Sequence, residues 1–294
     1  MKVPPRGLRP GQSCQIWIYD TETGESRSIL ETGDLLLEAP NWAPDGQALI
    51  LNGAGTLWRL PLDTAVLAPI DIPGIPPLNN DPVLDPDGQH IFVSTHDDWQ
   101  IYRAPLAGGT AQRITRDDQL LHFLHGVSPD GGQLAFVGVR AEITETAFKF
   151  LSAEICTVST DGGDFRQLTE GAVADGPEYS PDGAWIYYNT EQFTGHAQIA
   201  RMRPDGTGVE RLSHAPTVDW FPHLSPDGRR AVYLAYPPGT RGHPADLPVE
   251  LMLVGEDWSQ PRSVVKLFGG QGTINVNSWS PDSRSFAYVT YSQV

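Results

Sequence analysis

Long apolar runs are missing from this chain: no stretch of 18 consecutive apolar residues occurs, which excludes a membrane-spanning helix. Cysteine is nearly absent, with only Cys14 and Cys156, too few for a disulfide framework or a cysteine zinc site. Basic residues are scarce as well. Against 36 Asp+Glu there are 20 Lys+Arg, a net charge of -16 that repels nucleic-acid phosphates and anionic lipid, so neither is an expected partner. The first residues, MKVPPRGLRPGQSCQIWIYD, hold no apolar run of signal-peptide length. The expected location is therefore cytoplasmic for the chain as it stands, and periplasmic if a signal has been removed. Catalytic signatures are absent too: no G-x-S-x-G nucleophile elbow, no H-E-x-x-H, and no glycine-rich phosphate loop leading from a strand into a helix. A serine peptidase is excluded on that ground.

What the chain does have is Gly 30 and Pro 26, with abundant Trp, Tyr, Val and Ile, a composition suited to short strands and tight turns. One phrase recurs six times: Pro44-Asp45-Gly46, Pro86-Asp87-Gly88, Pro129-Asp130-Gly131, Pro181-Asp182-Gly183, Pro226-Asp227-Gly228 and Pro281-Asp282-Ser283. Its aspartates are 42, 43, 52, 45 and 55 residues apart, the period of a stacked repeat architecture. The phrase is turn chemistry. Ser at the first position bonds to backbone amides, Pro presets φ, Asp tolerates the third position and Gly accepts a positive φ.

Each turn is followed by an apolar strand such as ALILN or WIYYNT, and preceded by a short strand ending in Trp42, Leu84, Val127, Tyr179, Leu224 or Trp279. Two more strands complete most units. Six such meanders predict an all-β, six-bladed β-propeller of four-stranded antiparallel blades in one domain, 1–294. The expected blades span roughly 39–72, 79–115, 122–169, 174–213, 219–268 and 273–294. The last has two strands of its own and is closed by two from residues 14–31. Cys14 and Cys156 then fall on third strands halfway around the ring from each other and cannot form a disulfide.

The recurring S-P-D-G, the I-x-Y/F-type strand after it and the closing QLT resemble the repeat of TolB-type (PD40, WD40-like) propellers, over nearly the whole chain from about Cys14 to Tyr291. The resemblance implies the six-bladed fold. Propellers host unrelated activities, so it implies function far less sharply. TolB itself carries an export signal and an α/β domain ahead of its propeller and acts in the Tol-Pal system; the residues here match the propeller. A second stretch, FGGQGTINVNSWSPDS from Phe268 to Ser283, is similar to a segment of oligogalacturonate lyase propellers, which hold a metal with histidines and a glutamine. Gln271 matches the glutamine, whereas Ile274 and Val276 stand where the histidines are expected. That metal site is therefore not expected here.

Meander topology sorts the loops into two ends. The turns and the third-to-fourth hairpins share one; the other receives the insertions RAEITETAFKFLS at 140–152 and PPGTRGHPADLP at 237–248. It also receives the segments that open each inner strand. Function concentrates on loops held by a rigid scaffold. The candidate ligand site is therefore the channel mouth at that end, with Glu38, Asn79, Asn80, Asp81, His122, His125, Asp175, Glu178, Asp219, His223, Arg241, His243, Gln271, Asn275 and Asn277 as its residues.

The expected role is a binding scaffold that takes a protein, peptide or carbohydrate ligand at this mouth, as a monomer and with no required cofactor. The alternative is a lyase-like or hydrolase-like enzyme on carbohydrate or sugar-acid substrates. It would use His125 or His223 as general base, and Arg241 or a cation to stabilise the developing oxyanion. A channel-bound divalent cation is compatible with these residue types, with His125, Glu178 and His223 as candidate ligands.

Overall fold

A computed structural model of the protein describes residues 5–143 and 148–293. Its described residues form strands and turns without helices, arranged as a six-bladed propeller. The first blade is Leu37–Trp42, Ala48–Gly53, Thr56–Pro61 and Ala68–Ile70; the second is Val83–Leu84, His90–Ser94, Ile101–Pro105 and Gln112–Arg113. The third is Leu121–Val127, Gln133–Ile143, Phe148–Ser159 and Arg166–Gln167; the fourth is Ala174–Tyr179, Ile186–Thr190, Gln198–Met202 and Glu210–Arg211. The fifth is Val218–Leu224, Arg230–Tyr236, Ala245–Gly255 and Arg262–Gly270. In each of these five, neighbours in sequence are neighbours in an antiparallel sheet.

The sixth blade joins the ends of the chain. Ser285–Tyr291 pairs with Cys14–Asp20 from Cys14↔Tyr291 to Asp20↔Ser285, and Ser26–Thr32 lies outside them. Its innermost position differs from the other blades: instead of a strand, a single bridge at Trp279↔Phe286 marks the place. The segment before it runs through turns, with Gly270 and Gly272 at φ 107° and 91°.

The repeated phrase closes every blade identically. The amide of the fourth turn residue donates to the carbonyl of the first in all six copies, at 2.8–3.0 Å, from Gly46→Ala43 to Ser283→Ser280. The fourth residue has φ between 61° and 72° throughout, a conformation glycine adopts without steric cost.

Apolar residues collect in six clusters, one at each seam between neighbouring blades. At the seam of blades two and three, Phe92 and Ile101 meet Leu124, Leu134, Phe136 and Val158. Because both faces of each sheet are covered, second strands such as Ala48–Gly53 are buried at every position, which explains their continuous apolar runs. Cys14 and Cys156 are buried free thiols on the third strands of blades six and three.

The two insertions differ from plain loops. Residues 140–143 and 148–152 continue the third-blade ladder, through Arg140↔Ser152 and Ala141↔Phe150, as a hairpin extension. The remainder of that insertion, residues 144–147, lies outside the described residues. In the second insertion, Ala245, Leu247 and Pro248 pair with Gly270, Gly269 and Phe268 and lengthen the fifth blade.

Candidate functional site at the loop-bearing end

The inner strands are built to aim polar groups at the axis. Proline stands three residues before the first turn residue in four copies: Pro40, Pro82, Pro177 and Pro222. Lacking an N–H, it cannot donate to the ladder, and the register breaks between Glu38 and Asn41, Asp175 and Glu178, and Trp220 and His223. The residue before three of these prolines has positive φ: Ala39 at 51°, Gly176 at 61° and Phe221 at 56°. For a bulky residue such as Phe221 this is an uncommon conformation that the surrounding packing has to impose. Bulges of this kind re-aim the side chains that follow.

Two histidines lie at the centre of what results. Both ring nitrogens of His125 of blade three face oxygen acceptors: Nδ1 lies 3.1 Å from the main-chain oxygen of Asn275 in blade six, Nε2 lies 3.2 Å from Oδ1 of Asp175 in blade four, and Oδ1 of Asp81 in blade two is 4.0 Å from Nε2. The His125–Asn275 contact joins opposite blades, so at this depth the channel is bridged. The Asn275 side chain completes the group by donating to Asp81 at 3.4 Å and accepting from the Gly272 amide at 2.7 Å. His223 of blade five is held in the same way, with Nδ1 2.6 Å from Glu178 Oε2 and Nε2 2.5 Å from the carbonyl of Ile274. The carbonyls of the sixth blade's irregular inner segment thus find histidine donors where strand partners are lacking.

Electrostatics follow from burial among carboxylates. Burial opposes the charge on His125, but Asp81 and Asp175 outweigh it, and its pKa is raised to about 9. Burial raises Asp81. It acts in the same direction on Asp175, where contact with His125 and His243 prevails and holds the carboxyl below its ordinary value. Glu38 is raised to about 7 by burial, despite the Arg6 guanidinium beside it.

The sequence-derived candidates separate into groups. Asn79, Asp81, His125, Asp175, His243, Gln271 and Asn275 form one connected set, in which His243 bonds to Gln271 and sits 3.7 Å from Asp175. Glu178, His223 and Asn277 form a second set, Asn277 donating to Glu178 at 2.8 Å. Glu38 and Asn80 meet at 3.4 Å. Outside these sets, His122 turns into the seam of blades two and three, bonding to Trp99 O at 2.7 Å and packing at a tilt against Phe136. Asp219 is fully buried, and burial raises its carboxyl to about 6. Arg241 is exposed.

Neither His125 nor His223 has an unengaged ring nitrogen, since each nitrogen faces an oxygen acceptor. A general base or metal ligand needs a free lone pair, and here both nitrogens of each ring are engaged by oxygens. His125, Glu178 and His223 do not all three bring ligand atoms within 4.8 Å of one another; among the described residues the group of three that does is Asp85, Asp87 and His90, in the second blade's turn. Arg103 bonds to both of those aspartates, at 2.7 and 2.6 Å. Ile274 and Val276, at the places where the lyase resemblance expects histidines, are fully buried.

Sequence reasoning missed Arg6, Asp246 and the aromatic floor. Arg6 reaches Glu38 at 3.0 Å and the Gln271 carbonyl at 2.7 Å. Trp220 and Phe221 pack against His243, with ring centroids 4.4 and 5.2 Å away. The repeated proline was the available signal for the bulges; nothing comparable marks Arg6, which lies outside the repeats.

The same arrangement of blades recurs in known proteins. An uncharacterised protein of Agrobacterium fabrum is 39% identical over 289 residues, covering 96% of this chain and 94% of its own length. A solved structure from Agrobacterium tumefaciens, described as a TolB, superposes with a TM-score of 0.87 at 38% identity, covering 96% of this chain and 99% of that one. The chain belongs to the TolB-like β-propeller family. No protein-family model matches it. The Tol-Pal system protein TolB of Francisella tularensis is 24% identical over 96% of this chain, which spans 62% of the length of that relative. An oligogalacturonate lyase solved with manganese shares the fold alone, with a TM-score of 0.59 at 16% identity over 95% of this chain and 78% of its own. No helix of the described residues is long and apolar enough to cross a membrane.

Proposed function

We propose that this TolB-like propeller is a binding scaffold whose loop-bearing end receives a protein partner. The observation that carries the reading is a set of exposed apolar residues at that rim, above blades three and four. Phe150 and Leu151 on the hairpin extension are 47% and 49% exposed, and Val173 and Phe193 on neighbouring connections are each 37% exposed. Apolar side chains grouped beside a polar mouth are the usual composition of a protein-docking surface. The paired axial network supports the same reading, because it supplies rigidity and leaves no free base or nucleophile. The name of the Francisella relative, a Tol-Pal system protein, agrees with a role among proteins.

Open concavities lie at the other end, one of about 620 Å³ between the turns at Ser180–Asp182 and Asp227–Arg229. They recur between successive turns and follow from the repeat itself. A photo-crosslinking side chain placed at position 150 or 193 in the native host should give a discrete adduct with another protein, while one at Phe165, 50% exposed on the opposite end, should not. Adducts from position 165 alone would refute the assignment of the docking end.

A further inference from the structure

Arg6 does not belong to any blade, yet its guanidinium is held by three of them. Nη1 donates to Glu38 Oε1 of blade one at 3.0 Å and to the Gln271 carbonyl, ahead of blade six, at 2.7 Å. Nη2 lies 3.5 Å from Asp246 Oδ1 in the lengthened third strand of blade five. The cation sits over the ring of Tyr291, 4.4 Å from its centroid. The two carboxylate side chains are only 6% and 7% exposed.

Among the described residues, the cations that reach these carboxylates come from the N-terminal segment. Asp246 is met by Arg6, by Arg9 at 2.9 Å and by the Gln12 amide at 2.8 Å; Glu38 is met by Arg6 and the Asn80 amide. Without that segment the toroid would hold two buried carboxylates with no counter-charge, which is costly. Residues 5–12 join no strand and are held to the blades through their side chains. Carboxylates, a main-chain carbonyl and an aromatic face together match a planar guanidinium better than a compact ammonium.

We propose that the loop-bearing mouth carries a guanidinium seat, filled by Arg6 in the free protein and yielded to an arginine side chain of a basic partner segment on binding. This rests on the reading that a protein docks at that end. It adds the chemistry of the ligand and a reason for the strap: Arg6 keeps the carboxylates neutralised until a partner supplies the same group. The net charge of -16 favours encounter with a basic segment.

The test uses arginine amide as the probe, titrated calorimetrically at pH 8 into the wild-type chain and into Arg6→Gln. The variant should bind arginine amide at least tenfold more tightly than wild type, and lysine amide at least tenfold more weakly than arginine amide. Adding Glu38→Gln to the variant should abolish binding. Equal affinity of folded wild type and variant for arginine amide, or no preference over lysine amide, would overturn the seat. Should Arg6→Gln fail to fold, amide hydrogen exchange of residues 5–12 in wild type decides: arginine amide should accelerate it and citrulline amide should not, and no difference refutes the proposal. A partner that crosslinks at position 150 yet binds wild type and Arg6→Gln equally would overturn the seat while leaving the docking end intact.

Discussion

His223 and Glu178 meet at 2.6 Å between Nδ1 and Oε2, and the other ring nitrogen of His223 meets the Ile274 carbonyl at 2.5 Å. One imidazole thereby ties blades four, five and six. The second oxygen of Glu178 accepts from the Leu224 amide and from Asn277, both at 2.8 Å. Glu178→Ala strips the acceptor from two buried donors and the half-buried Asn277, and the expected loss is about 3–5 kcal/mol of folding stability. For a chain of this size that corresponds to a fall in Tm of roughly 5–8 °C. Glu178→Gln keeps one acceptor oxygen and should lose less. Thermal unfolding of the two variants checks this, and an alanine variant that melts with wild type would show that the pair does not hold the blades together.

The blade count and the ring closure were legible because both rest on local turn chemistry repeated along the chain. The axial site was legible only in residue type. On a regular inner strand, side chains alternate between faces, so His122 and Asp219 were as eligible as His125 and His223. A bulge shifts that parity by one residue, and its position depends on prolines whose meaning appears once the register is known. Arg6 and Asp246 lie 240 residues apart (246 − 6) and meet because the ring closes; no short-range pattern encodes that contact. Arg241 belongs to the same insertion as His243, and nothing in its spacing foretells that one turns inward and the other to solvent.

The sixth turn carries Ser283 where the other five carry glycine, and it holds the same backbone shape, with φ 61°. Its hydroxyl oxygen accepts from the Asp227 amide of the neighbouring blade's turn at 3.0 Å, a bond glycine cannot make. Ser283→Gly gains backbone ease worth up to about 1 kcal/mol and loses a hydrogen bond of about the same worth, so its stability should stay close to wild type. Ser283→Ala keeps the strain and loses the bond, and should be the less stable by about 1 kcal/mol. Gly183→Ala, at φ 70°, should cost about 1 kcal/mol or more, from strain alone. Denaturant midpoints rank the three; a glycine variant clearly weaker than the alanine one would contradict the account of residue 283.

Stability should fall as pH rises through the neutral range, and the sign follows from three buried groups. Glu38 has its carboxyl raised to about 7 by burial, and Asp219 to about 6 by the same cause. A carboxyl raised in the folded state contributes stability that is full below its unfolded pKa and is lost as pH climbs through the folded value. His125, raised to about 9 against the burial that opposes its charge, because Asp81 and Asp175 flank it, behaves likewise from about pH 6.5 to 9. The turn aspartates act in the opposite sense. The hydroxyls of Ser128, Ser180, Ser225 and Ser280, with main-chain amides, hold Asp130, Asp182, Asp227 and Asp282 below the ordinary range. Their contribution is present above the ordinary aspartate pKa and disappears in acid. The Tm should therefore peak near pH 5 and decline towards pH 9. General repulsion among the acidic surface charges also grows with pH, but equally in wild type and in Glu38→Gln. The difference between those two proteins isolates Glu38: relative to its value at pH 5, the variant should gain up to about 3 kcal/mol on wild type by pH 8. Melting curves that run parallel for both proteins across that interval would show that Glu38 does not ionise there.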